Sequence, residues 1–114
     1  MKIFNTTRDK LLAGEARVAD TCFKRAKGLL GRPELKEGEA LIIEPCNSIH
    51  TFFMRFPIDV VFADKNNLVV GAISNLVPFR LSPLYWRSAF AIELPAGVIS
   101  STNTAKGNTI SLTY

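Results

Sequence analysis

Histidine is the side chain whose ordinary pKa lies nearest neutrality, and this sequence has one, His50. Cys46 stands four residues before it. On a regular strand that even spacing places Cys46, Ser48, His50, Phe52 and Met54 on one face. Asn47, Ile49, Thr51, Phe53 and Arg55 then take the other. A thiolate beside an imidazolium is the activated pair of thiol catalysis, and the same pair is half of a zinc site. Zinc needs three or four ligands, and there is no second His and no Cys-x-x-Cys. Cys22, Asp59 or Glu93 would have to complete the set, so no metal and no cofactor is assigned. A partly buried Cys and a His bonded to backbone is the commoner outcome of such spacing.

Charged residues inside apolar stretches are the second signal. Arg55 and Asp59 interrupt the run from Ile49 to Ala63. Buried charges must be paired, so an Arg55 fork on the Asp59 carboxylate is the structural expectation. An arginine presented to an anionic ligand is the functional one. Arg80, after Pro78-Phe79, poses the same question. Glu93 alternates with Ala89 and Ala91 against Phe90, Ile92 and Leu94. It is either the wet face of a strand, the commoner case, or a carboxylate open to a partner.

Several chemistries lack their frame. There is no Gly-x-x-x-x-Gly-Lys-Ser/Thr loop, no Gly-x-Gly-x-x-Gly and no Gly-x-Ser-x-Gly elbow. With one histidine, a Ser-His-Asp hydrolase is not expected. The aspartates match no calcium loop. The segment Leu84-Tyr85-Trp86 beside Pro83 reads as core or as an exposed loop tip offering a contact surface.

The elements that must position these residues are mostly strands. Strand patterns cover residues 1–6, 11–18 with Gly14 as a bulge, 40–44, 48–53, 58–63, 68–73, 88–94 and 109–113. Asp64-Lys65-Asn66-Asn67 joins two of them as a hairpin. One helix is expected at about 21–30. Asp20 or Thr21 caps it, Cys22, Ala26, Leu29 and Leu30 share its apolar face, and Gly31 with Pro33 ends it. A further helical turn is expected within 97–105. The fold class is mostly β (α+β), a compact small barrel or sandwich with one short helix.

Composition agrees. The 114 residues make a single domain, 1–114, with enough apolar content (47%) for a core without disulfides. No apolar run spans a membrane. The net charge of +4 is spread along the chain, densest at Lys24, Arg25, Lys27 and Arg32, which argues against a dedicated nucleic-acid interface. Two cysteines make no disulfide framework, and the first nine residues lack a signal-peptide pattern. The expected location is cytoplasmic, with reduced thiols.

The stretch Cys46-Asn47-Ser48-Ile49-His50-Thr51-Phe52-Phe53-Met54-Arg55-Phe56-Pro57-Ile58-Asp59-Val60-Val61-Phe62 resembles the small bacterial and archaeal proteins grouped as domain-of-unknown-function family 192. Arg25-Ala26-Lys27-Gly28-Leu29-Leu30-Gly31-Arg32 is similar to that family's Arg-x-x-Gly-Leu-Met segment. Val77-Pro78-Phe79-Arg80 is similar to its Pro-Trp-Arg, and Ala91–Gly97 to its Leu-Glu-Leu-Pro-Ala-Gly. The resemblance spans about residues 8–113. Leu30 departs from the usual Met, Phe53 stands where Gly or Trp is common, and Asn108 replaces an Asp, which weakens any metal role in the last turn. The resemblance implies a single, mostly β domain and no established activity. Its shared residues coincide with Cys46, His50, Arg55, Asp59, Arg80 and Glu93.

Three functions fit. The first is a non-enzymatic binding or accessory module for a protein or small ligand, with a polar site around His50, Arg55, Asp59, Arg80 and Glu93. The second is a thiol- or metal-dependent enzyme using Cys46 and His50. The third is a carrier of a small anionic ligand held by Arg55 and Arg80.

Overall fold

The structure is a computed structural model that describes residues 1–114, save for the side chains of Cys22, Phe23 and Ala26. Its core is a pair of buried apolar runs, Ile58–Ala63 and Phe90–Pro95, both strands of one sheet. In chain order the elements are β1 (Lys2–Asn5), β2 (Lys10–Ala13), β3 (Glu15–Ala19), α1 (Cys22–Lys27), β4 (Glu39–Ile43), β5 (Ile58–Ala63), β6 (Val69–Leu76), β7 (Phe90–Pro95), α2 (Val98–Thr102) and β8 (Ile110–Thr113). Two sheets form, a three-stranded β2-β1-β8 and a five-stranded β3-β4-β7-β5-β6. All pairings are antiparallel except β3 with β4. The arrangement is sandwich-like, without a closed barrel.

The five-stranded sheet is covered on both faces, which is why every β5 residue is buried and, Asp59 apart, the strand reads as an apolar run. One face packs on the small sheet through Ile92, Leu94 and Val61 against Ile3, Leu12 and Ile110. The other carries Leu41, Ile43, Val60, Phe62 and Ala91. It is covered by Leu29, Leu35, Ile49 and Met54, from the segments after α1 and after β4. Fully buried side chains such as Phe62 and Ile92 each contribute roughly 1.5–3 kcal/mol.

Four local expectations change. Residues 11–18 are not one bulged strand, because β2 and β3 belong to different sheets and Gly14 is the crossing point. The Gly14 and Glu15 N–H groups both donate to the Gly38 carbonyl, at 3.0 and 2.9 Å, fixing that crossing. The helix keeps the expected Thr21 cap but ends at Lys27. Gly28, at φ 48° and ψ −123°, ends the helix with its N–H on the Lys24 carbonyl, in place of the left-handed cap expected at Gly31. The proposed apolar face of this helix rests on Cys22 and Ala26, whose side chains lie outside the described residues. Residues 48–53 form no strand beyond an isolated His50–Leu81 bridge. The hairpin holds as expected, with Asp64 Oδ1 accepting from the Asn66 and Leu68 N–H groups and Asn67 at φ 63°. The Glu44–Pro45 peptide is cis, at the point where β4 gives way to the segment that carries Cys46 and His50.

Candidate functional site

Segment 46–54 is held by hydrogen bonds to residues 77–89 rather than by a ladder. Thr51 is its pin. Its N–H donates to the Arg80 carbonyl (2.9 Å), its carbonyl accepts from Phe79 N–H (3.0 Å), and its hydroxyl bridges the Val77 carbonyl and Arg80 N–H (2.6 and 2.9 Å). Ser82, also buried, accepts from Ile49 N–H through its hydroxyl at 2.9 Å. Cys46 is tied to the start of β7, with its N–H on the Ala89 carbonyl (3.1 Å) and its carbonyl on the Ser88 hydroxyl (2.8 Å). A β-branched and aromatic stretch therefore satisfies its backbone groups through loops, as buried backbone must.

This segment, the residues after α1 and the middle of β7 enclose a pocket of about 280 Å³. Cys46, His50 and Glu93 line it together, with Arg25 and Lys27 at its α1 side. The alternation argument thus fails in geometry, since no strand exists, yet Cys46 and His50 meet at one cavity. In the sequence Arg25 and Lys27 stand out only as part of the densest run of positive charge. Their position in the Arg-x-x-Gly-Leu segment was the signal available.

Glu93 is the unusual member. It sits on the central strand between Leu41 of β4 and Val60 of β5. The expected wet face does not exist, because the 46–54 segment covers it, and Glu93 is 3% exposed. Its Oε1 has no hydrogen-bond partner among the described residues. Burial pushes its carboxyl up to about 8, so it carries a proton at neutral pH. An unpartnered buried polar atom costs about 1–3 kcal/mol, and natural folds keep such groups chiefly where they act.

Cys46 is half-buried and donates its thiol to the Ser48 carbonyl (3.1 Å). Burial raises its pKa, the Ser48 contact and Arg25 oppose that, and Glu93 adds to it. A thiol nucleophile needs the reverse shift. His50 is exposed, accepts from Phe52 N–H at Nδ1 (3.3 Å) and stacks on the Phe52 ring at 5.3 Å. Among the described residues no three His, Cys, Asp or Glu side chains are placed to hold a metal ion.

The remaining candidates lie elsewhere. Asp59 is fully buried and is not paired with Arg55. Its Oδ1 accepts from Asn75 N–H (2.8 Å), and its Oδ2 from Gly97 and Ile99 N–H (3.1 and 2.8 Å). It therefore ties β6 to the start of α2. The ion pair found among the described residues is Arg32–Glu39 at 3.1 Å. Arg55 and Arg80 are exposed and do not line the pocket. Beside them Phe53 (75% exposed) and Phe79 (55%) meet edge-on at 5.4 Å. Both hold positive φ, 65° and 63°, a strained state for a bulky side chain. Phe53 thus occupies a backbone conformation that glycine adopts without strain.

Trp86 is exposed as a loop tip would be, whereas Tyr85 turns inward onto Phe62 at 4.4 Å. The groove beside Trp86 is larger, about 510 Å³, but no buried unpartnered side-chain group faces it among the described residues. Asn108, the departure in the last turn, is buried and accepts from Asn5 Nδ2 at 3.0 Å, a structural role.

Comparison with known proteins agrees with the resemblance read from the motifs. The family model DUF192, described as "Uncharacterized ACR", matches residues 3–112. A UPF0127 protein of Pyrococcus horikoshii is 37% identical over 114 residues, covering 95% of this chain and 96% of that one. A UPF0127 protein of Thermococcus sibiricus is 34% identical over 112 residues, covering 95% and 72%. A crystal structure of a protein of unknown function from Novosphingobium aromaticivorans has a similar fold. Its TM-score is 0.83 at 20% identity, covering 97% of this chain and 82% of that one.

Proposed function

The chain belongs to domain-of-unknown-function family 192, and from that premise we propose that it is a non-enzymatic binding module whose ligand site is the pocket floored by Glu93. One observation carries this reading: Glu93, whose buried Oε1 has no hydrogen-bond partner among the described residues, lines a cavity large enough for a small molecule. The thiol-enzyme alternative is weaker on the same geometry. Cys46 is shifted away from the thiolate, and His50 sits exposed with its Nδ1 turned to its own loop. In this reading Asp59 holds the scaffold of the site and touches no ligand.

The test is retention of a small molecule. Protein incubated with a small-molecule cell extract, desalted and weighed under native conditions gains a discrete mass. Leu30→Trp, which fills the pocket from its α1 side, and Glu93→Gln do not gain it. A bare mass for all three proteins removes the reading.

The strained pair Phe53 and Phe79 supports a second use of the module, a contact surface for an acidic protein flanked by Arg55 and Arg80. Reversing both charges abolishes partner capture if this holds. Capture unchanged by Arg55→Glu and Arg80→Glu counts against it.

A further inference from the structure

We propose that the pocket takes a small zwitterion, its primary ammonium on Glu93 and its carboxylate at the Arg25 and Lys27 rim, a free α-amino acid with an apolar side chain being the simplest case. The inference rests on the reading of the pocket as a ligand site.

The two ends of the cavity differ in chemistry. At the floor, Glu93 Oε1 has no hydrogen-bond partner among the described residues. An ammonium offers three N–H donors and a full charge, and it can satisfy both carboxyl oxygens at once. At the rim stand two cations from α1, Lys27 and Arg25, the latter with its Nη1 also donating to the Asp20 and Glu44 carbonyls (3.4 and 3.5 Å), in a chain of net charge +4. Arg25 is close enough to act electrostatically on Cys46 inside the pocket. A plain amine would meet repulsion at that rim. A plain anion would reach the rim but could only accept the proton of a neutral Glu93 and would gain no ion pair at the floor. A molecule with both charges meets both ends.

The rest of the lining is mixed, with Leu29, Ile49 and Met54 offering apolar contacts to an aliphatic side chain beside the polar Asn47 and Ser48. At roughly 30 Å³ per water-sized group, the volume of about 280 Å³ suits a ligand on the order of ten non-hydrogen atoms.

Binding is linked to a proton. Glu93 is protonated in the free protein at neutral pH and ionised beside an ammonium, so its proton leaves to the buffer. Among the described residues, the other titratable and charged groups around the pocket are Cys46, His50, Arg25 and Lys27. The neighbours of Glu93 on β4 and β5, Leu41 and Val60, do not titrate. Affinity therefore rises with pH between about 6 and 8, by up to tenfold per unit for one released proton.

The experiment is calorimetric titration of the full chain with L-leucine, 3-methylbutylamine and 4-methylpentanoate, in two buffers of different ionisation enthalpy. Leucine binds at least tenfold more tightly than either single-charge analogue and releases close to one proton at pH 7. Glu93→Gln weakens leucine by tenfold or more, as loss of a charged hydrogen bond does, and abolishes the pH slope. The variant is neutral and isosteric, and its unfolding transition shows that it folds. Lys27→Ala weakens leucine but not the amine.

Equal binding of the acid overturns the proposal, since Glu93 would then donate its proton to an anion. Equal binding of the amine overturns it as well. If none of the three binds, the zwitterion class falls. The pocket reading falls with it only when the native mass measurement also finds nothing retained.

Discussion

Replacing Glu93 by Gln keeps the shape of the pocket floor and removes its ionisable proton. In the folded chain the carboxyl is raised from 4.5 to about 8 by burial. Below pH 4.5 the folded and unfolded chains are both protonated at this residue. Between 4.5 and about 8 only the folded chain keeps the proton. The unfolded state then binds fewer protons, so stability falls as pH rises through that window and levels off above it. At about 1.36 kcal/mol per unit, the loss is about 3 kcal/mol by pH 7 and about 5 kcal/mol by pH 9. That is a large share of a typical domain stability of about 5–15 kcal/mol. Urea unfolding of both proteins at pH 5, 7 and 9 measures it. Other titrations are common to the two chains and cancel in the difference. Glu93→Gln is close to wild type at pH 5 and more stable by several kcal/mol at pH 9. A difference that stays constant over this range, or one that shifts toward the wild type as pH rises, refutes the argument.

Asp59→Ala strips the acceptor from three backbone N–H groups joining β6 and α2. It costs about 3 kcal/mol or more in denaturant unfolding; a loss under 1 kcal/mol would show that those bonds hold nothing. Gly71→Ala drives a methyl into the Tyr85 ring that stacks on Phe62. It destabilises by about 1–3 kcal/mol, and Tyr85→Ala in the same chain removes the clash, whereas simple additivity of the two changes would contradict the packing. Cys46 reacts with iodoacetamide at pH 8 more slowly than a free solvent-exposed thiol, because burial raises its pKa. Peptide mass mapping reads this at Cys46 alone, and a rate above the free-thiol value would restore the nucleophile reading.

The apolar strands were legible because double coverage leaves a plain record, as in Val60-Val61-Phe62 and Phe90-Ala91-Ile92. The hairpin at Asp64–Asn67 was legible because turn chemistry is local. Ser48–Phe53 misled, because β-branched and aromatic residues suit a strand only where a neighbouring strand takes their hydrogen bonds. Here residues 77–85 offer loops instead, and Thr51 binds them through backbone and side chain together. Gly14 looked like a bulge because the switch between sheets depends on a distant carbonyl, that of Gly38.

At the site, residue types pointed to the right side chains but not to their roles. Alternation told which neighbours Glu93 sides with, and nothing in its own strand could tell that residues 46–54 would roof that face. Asp59 sat near Arg55 in sequence, yet its partners lie at Asn75, Gly97 and Ile99. These are tertiary facts that no local pattern encodes. Arg25 and Lys27 were visible as charges but not as a rim, because lining one pocket with Glu93 is a tertiary matter.

The central claim is that Glu93 is a protonated carboxyl, its Oε1 without a partner among the described residues, at a ligand pocket. Carboxyl carbon-13 NMR, with Glu93→Gln used to assign the resonance, tests it most directly. The account predicts a titration midpoint near 8 in the free protein and a shifted resonance once the small-molecule extract is added. A midpoint near that of a solvated glutamate, with no response to the extract, would contradict it.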